Sequence, residues 1–203
     1  MSAHISIILF AEDIAHEKFI EALVRRIARE GGVLLDFRVR VARGGHGKVL
    51  AEFMDFQREC LKFKILGKPD LAVAAIDANC KGYQEARRSV EEKIEKDFQG
   101  RVVIACPSPH IERWYLADPD AIFRILGVRP NVGKTKCERD YYKQLLKNAA
   151  KKGETPSPLG GIELAPDIVQ EMDLFKAGKM DGSFKHFHDD LQKAFKRFKG
   201  VNS

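Results

Sequence analysis

Four residues have the types needed to hold a hard cation and work on a phosphate: Glu12, Asp77, Asn79 and Glu112. Each stands just beyond an apolar run. Glu12 follows Ile5–Phe10, Asp77 and Asn79 follow Leu71–Ile76, and Glu112 follows Arg101–Ala105 after the turn Pro107-Ser108-Pro109. If those runs are parallel strands of one sheet, their carboxyl ends share an edge, and the crevice there is where ligands of such sheets bind. Carboxylates brought within a few ångström repel one another, so a cluster of them usually holds a cation. Magnesium or manganese fits, because such ions take oxygen ligands and share their shell with substrate phosphates.

Each residue also has a plainer explanation. Glu12 complements the positive start of a following helix, Asp77 and Asn79 are common turn formers, and Glu112 is a first-turn acid beside Arg113. Their joint placement at successive strand ends favours the functional reading. Gly44-Gly45-His46-Gly47-Lys48 is a second feature. Backbone N–H groups at a glycine-rich turn that opens a helix cradle phosphates, with Arg43, His46 and Lys48 adding polar contacts. A flexible connection with basic neighbours explains the same residues equally well. Gly133-Lys134-Thr135 imitates a P-loop, but Val128 stands where that motif needs glycine, Pro130 interrupts it, and a helix precedes it in place of a strand.

Positioning these residues requires an alternation of strands and helices. Ile5–Phe10 reads as a buried strand, and 14–30 as a helix with Ile20, Leu23, Val24 and Ile27 on one face, ended by Gly31-Gly32. Leu35, Phe37, Val39 and Val41 alternate as a second strand, and a helix through Phe53, Phe56 and Leu61 follows the glycine loop. Leu71–Ile76 is a buried strand, Tyr83–Phe98 a charged helix, and Arg101–Ala105 a fourth strand. This order predicts an α/β fold with a small parallel sheet covered on both faces. Residues 1–118 form that core. Residues 119–203 form a helical extension packed on it, the whole being one structural domain, with helices expected at Asp120–Leu126, Glu138–Lys151, Leu164–Lys176 and Phe184–Phe198. Arg139, Lys143, Lys147 and Lys151 recur every four residues, a basic helix face that tracks a phosphate backbone or is simply solvated. Trp114 reads as an anchor for the Glu112 segment more readily than as a base-stacking platform.

Composition sets the bounds. The chain has 203 residues, 44% hydrophobic and 32% charged, enough for a real core and a solvated surface. The run from Ile5 is stopped by Glu12 and Asp13 and lacks a basic start and a cleavage site, so neither a membrane span nor a signal peptide is expected. The four cysteines are scattered, which predicts reduced thiols in a cytoplasmic protein and no soft-metal site. The formal charge of +6 favours polyanion partners such as nucleic acid, or is simply that of a solvated basic surface.

Taken together, the motifs resemble the TOPRIM domain of topoisomerases, primases and OLD-family nucleases. Ile7-Ile8-Leu9-Phe10-Ala11-Glu12 and its helix are similar to the first TOPRIM motif, and Asp77-Ala78-Asn79 stands where TOPRIM proteins carry Asp-x-Asp. The segment 109–119, Pro-His-Ile-Glu-Arg-Trp-Tyr-Leu-Ala-Asp-Pro, resembles the hallmark of a bacterial and archaeal TOPRIM-like family described as a domain of unknown function. Such proteins also carry a Gly-rich segment like Gly44–Lys48 and a Ser-Phe motif like Ser183-Phe184. The resemblance implies a metal-dependent nuclease or related phosphotransfer enzyme. Glu12, Asp77 and Glu112 would be catalytic, Glu12, Asp77 and Asn79 would hold magnesium or manganese, and Arg43, His46, Lys48 and Arg113 would hold phosphate. It also implies work beside an ABC-type or AAA-type ATPase in defence against phage or mobile DNA. Asn79 departs from the pattern by lacking the second charge. The alternative is therefore a non-catalytic nucleic-acid-binding or regulatory subunit.

Overall fold

The computed structural model describes residues 3–42, 44–63, 67–153 and 157–201. The apolar runs form four strands, β1 (Ala3–Ala11), β2 (Val33–Val41), β3 (Leu71–Ala75) and β4 (Val102–Ala105), paired in the order β2-β1-β3-β4 with every pair parallel. Phe10 lies opposite Arg40 and Ala74, so the carboxyl ends of β1, β2 and β3 reach one edge together. All five residues of β3 are buried, as expected of a central parallel strand covered on both sides.

Nine helices are described: α1 (Ile14–Glu30), α2 (His46–Phe63), α3 (Tyr83–Glu91), α4 (Glu112–Tyr115), α5 (Pro119–Leu126), α6 (Tyr141–Lys152), α7 (Ala165–Glu171), α8 (Leu174–Met180) and α9 (Gly182–Val201). Ile5, Ile7, Leu9 and Ala11 of β1 face a core completed by α1 and by residues of α4 to α9. Ile8 and Phe10 face the other way, onto Val49, Phe53 and Phe56 of α2 and onto Ala86 and Val90 of α3. The period of two along β1 thus divides the interior into two cores.

Local chemistry sets the helix starts nearest the site. The Asp13 carboxylate accepts the His16 N–H at 3.0 Å and caps α1, whose Phe19, Ile20, Leu23, Val24 and Ile27 are buried at helical spacing. Asp118 caps α5, with Pro119 in its first turn.

Several expectations are corrected. The helix expected over Tyr83–Phe98 stops at Glu91. Buried Gln57 accepts the Glu95 N–H at 2.8 Å and donates to the Lys93 carbonyl at 2.9 Å, so the chain satisfies its polar groups in a turn at 92–95. The segment expected as one helix from Leu164 is α7 and α8, broken where Asp173 caps α8 through the Phe175 and Lys176 N–H groups. Arg139 precedes α6, so the basic helix face contains only Lys143, Lys147 and Lys151. The cysteines are not all thiols. Cys80 and Cys137, 57 residues apart, form a disulfide, while Cys60 and Cys106 are free and buried. Sequence spacing misses this pairing because the fold alone brings the loop after β3 against the segment before α6. Among the described residues no helix is long and apolar enough to cross a membrane.

Candidate metal and phosphate site

At the carboxyl edge of the sheet, Glu12, His16 and Asp77 each offer a ligand atom, and these atoms lie within 4.8 Å of one another. Glu12 is the first residue after β1, and its Oε2 accepts the Asp77 backbone N–H at 3.2 Å, which joins the ends of β1 and β3. His16, in the first turn of α1, is fully buried. Its Nε2 lies 3.1 Å from Asp77 Oδ1 and its Nδ1 lies 2.8 Å from Asp13 Oδ1.

The electrostatics follow from this packing. Burial alone would disfavour the His16 cation, but Asp77 and Asp13 outweigh it and hold the imidazole pKa well above its ordinary value. Burial alone would likewise raise the Asp13 carboxyl, yet its hydrogen bond to His16 and the histidine's charge bring it down to about 2. Glu112, at the start of α4, is half-buried, and burial lifts its carboxyl above the usual range, with the Asp77 charge adding to the effect. The cluster therefore contains groups of opposed protonation preference, a property common at functional sites.

The glycine loop adjoins this cluster. A cleft of 550 Å³ is lined by Glu12, Asp13, Glu17, Gly44 and Gly45. A β-carbon on Gly45 would stand 3.8 Å from Glu12 Oε1, and the positive φ of that residue (+84°) is strained for any side chain. The loop opens α2, with the Gly45 carbonyl accepting the Lys48 N–H at 3.0 Å. Lys48 is exposed, and His46 is within 3.4 Å of the Ser89 hydroxyl of α3. Arg43 lies outside the described residues.

Two candidate residues have other engagements. Asn79 has a positive φ of 51°, its N–H donates to the Pro109 carbonyl at 2.8 Å, and its amide nitrogen donates to the Asp77 carbonyl at 3.2 Å. Among the described residues the third side chain within reach of Glu12 and Asp77 is His16 instead. Arg113 is buried, donating to Asp181 at 2.7 Å and to the Tyr142 hydroxyl at 2.9 Å, which fastens α4 to α6 and to the start of α9. Trp114 is fully buried and donates to the Ser183 hydroxyl at 2.9 Å. That hydroxyl also accepts the Ser108 N–H at 3.1 Å and donates to Asp181 at 2.5 Å. Ser183 thus ties the loop after β4, α4 and α9 together, and Trp114 has no face open to a base.

Asp13 and His16 escaped the sequence reading as functional residues. The available signal was local: an N-cap aspartate followed three residues later by a histidine, one turn beyond Glu12. A family model described as a domain of unknown function (DUF4276) matches residues 11–192. No curated protein and no solved structure matches the chain.

Proposed function

The chain belongs to the DUF4276 family of domains of unknown function, and from that premise we propose that it is a TOPRIM-like, metal-dependent enzyme of phosphodiester hydrolysis in nucleic acid. The observation that carries this reading is the convergence of Glu12, His16 and Asp77, with ligand atoms within 4.8 Å, at the carboxyl edge of a parallel sheet. The donors suit the group. The Glu12 and Asp77 carboxylates are oxygen ligands that magnesium or manganese accepts, while His16, held as a cation between Asp13 and Asp77, would add a nitrogen ligand only on giving up its proton. Glu12 and Asp77 would hold the ion, which when bound would neutralise phosphate charge and lower the pKa of a water.

The chain's own residues supply the rest. Glu112, whose carboxyl is raised above the usual range by burial, would be the group to give a proton to an oxygen leaving the phosphorus. Asp13 fixes the ring of His16, and His16 in turn fixes the Asp77 carboxylate. Gly44 and Gly45 border the cleft beside Glu12, and the Lys48 Nζ lies 3.0 Å from where a β-carbon on Gly44 would stand, so a phosphate there would meet backbone donors with a cation next to them. The test is incubation with plasmid, linear duplex, single-stranded DNA and RNA in magnesium or manganese. Cleavage by the wild type and its loss in a Glu12→Gln, Asp77→Asn double variant are expected; undiminished cleavage by that variant would refute the assignment.

One observation favours a second reading. The His16 imidazolium already balances Asp77, and the Asn79 amide turns back onto the Asp77 carbonyl. A protein so neutralised would bind nucleic acid or regulate a partner ATPase without cutting. Calorimetry with manganese separates the two, since the non-catalytic subunit binds no divalent ion.

A further inference from the structure

The Cys80–Cys137 disulfide joins two exposed residues. Cys80 is three residues beyond Asp77, in the short turn Asn79–Lys81 that Asn79 pins to Pro109. Cys137 belongs to 128–140, a stretch with neither helix nor strand between α5 and α6. Within it Pro130 and Val132 are buried, but every residue from Gly133 to Asp140 is exposed. Among the described residues the other polar ties of 133–139 are local: the Lys136 N–H donates to the Tyr142 hydroxyl at 2.9 Å, and the Glu138 carbonyl accepts the Tyr141 N–H at 3.2 Å. The disulfide is what fastens this segment to the rim of the acid site.

It also gathers charge. Lys81 adjoins Cys80, and Lys136 adjoins Cys137. Lys134 and Arg139 flank them, and Lys143 and Lys147 continue along α6, all six exposed. Lys81 and Lys136 meet only weak acidic competition, with Glu85 and Glu138 each at 3.9 Å. A row of exposed cations beginning four residues from Asp77 complements a phosphate backbone whose scissile bond lies at the acids.

We infer that segment 128–140 is a basic strap that grips a nucleic-acid backbone beside the acid site and lets go when the Cys80–Cys137 disulfide is reduced. The inference rests on nucleic acid being the substrate, as proposed above. The release step balances. A dithiol gives two electrons and two protons, the protein S–S bond breaks to two thiols, and the dithiol becomes its own disulfide. Freed of its tether, the strap takes Lys134, Lys136 and Arg139 out of register with Lys81, and the phosphate contacts they share are lost.

The experiment compares the full chain before and after reduction with dithiothreitol, by limited trypsin digestion and by anisotropy of a labelled single-stranded oligodeoxynucleotide at several salt concentrations. Reduction is expected to speed cleavage after Lys134, Lys136 and Arg139 about tenfold. It should also weaken oligonucleotide affinity about tenfold, with a shallower salt dependence. A Cys80→Ser, Cys137→Ser variant should behave as the reduced protein and ignore the reductant; reduction of the wild type gives the same comparison if that variant misfolds. Equal digestion in both states overturns the release. Faster digestion with unchanged affinity overturns the grip and leaves the proposed activity standing, whereas no oligonucleotide binding in either state sinks the grip and the nucleic-acid reading together.

Discussion

On one side of the sheet, Ile5, Ile7, Leu9 and Ala11 meet a core that draws on α1 and on nearly everything after residue 110; on the other, among the described residues, Ile8 and Phe10 meet α2, α3 and a few neighbours. The two faces also serve the site differently. Asp13 and His16 come from α1 and Glu112 from α4, both packed in the larger core, where Trp114 stacks on Phe187 at 5.5 Å and Tyr115 lies 4.7 Å from Phe19. The glycine loop and Lys48 come from the start of α2, on the smaller core. Under the proposed function, protonation and metal ligation would fall to the heavily braced side and phosphate contact to the lightly braced one. This division is reasonable chemistry, because ligand geometry tolerates little displacement while a phosphate cradle can adapt.

That contrast can be broken most forcefully in the cores. Trp114→Ala and Phe53→Ala should each cost about 3–5 kcal/mol in denaturant unfolding. Only the first should also weaken manganese binding, measured by calorimetry where both variants remain folded. Equal loss of manganese affinity in the two would abolish the distinction between the faces.

Next in size is the buried pair. Arg113→Ala leaves Asp181 without its guanidinium and should cost about 3 kcal/mol, whereas Arg113→Met with Asp181→Leu should recover most of the loss. A double variant as unstable as the single one would show that packing, not the stranded charge, dominates there. Smaller again, Asp77→Asn should weaken manganese binding at least tenfold, about 1.4 kcal/mol, and lower the melting temperature as buried His16 loses the carboxylate that favours its cation. Undisturbed affinity would remove Asp77 from the ligand set. The smallest effect belongs to the light face. Gly45→Ala, at φ +84°, should cost about 1 kcal/mol of stability and impair oligonucleotide binding more than manganese binding. The reverse order would place the loop in the metal site itself.

Much of this was legible from residue order. Short apolar runs separated by amphipathic stretches specify parallel strands, and Glu12 and Asp77 at the ends of β1 and β3 specify their meeting once the sheet exists. The helix ends at Glu91 and Glu171 were not legible, because buried Gln57 and the Asp173 cap decide them from outside any periodic pattern. Nor was the role of Arg113 beneath the site, since its partner Asp181 is 68 residues away.

By itself the sequence determined the elements and the approximate edge on which the acids lie, for hydrophobic period, capping and glycine placement act over a few residues. Only the tertiary structure decided that His16 rather than Asn79 completes the cluster, that Arg113 is buried against Asp181, and that Cys80 bonds Cys137. Those outcomes depend on which face each helix buries and where separate layers touch. That information belongs to the packed whole and to no local stretch of chain.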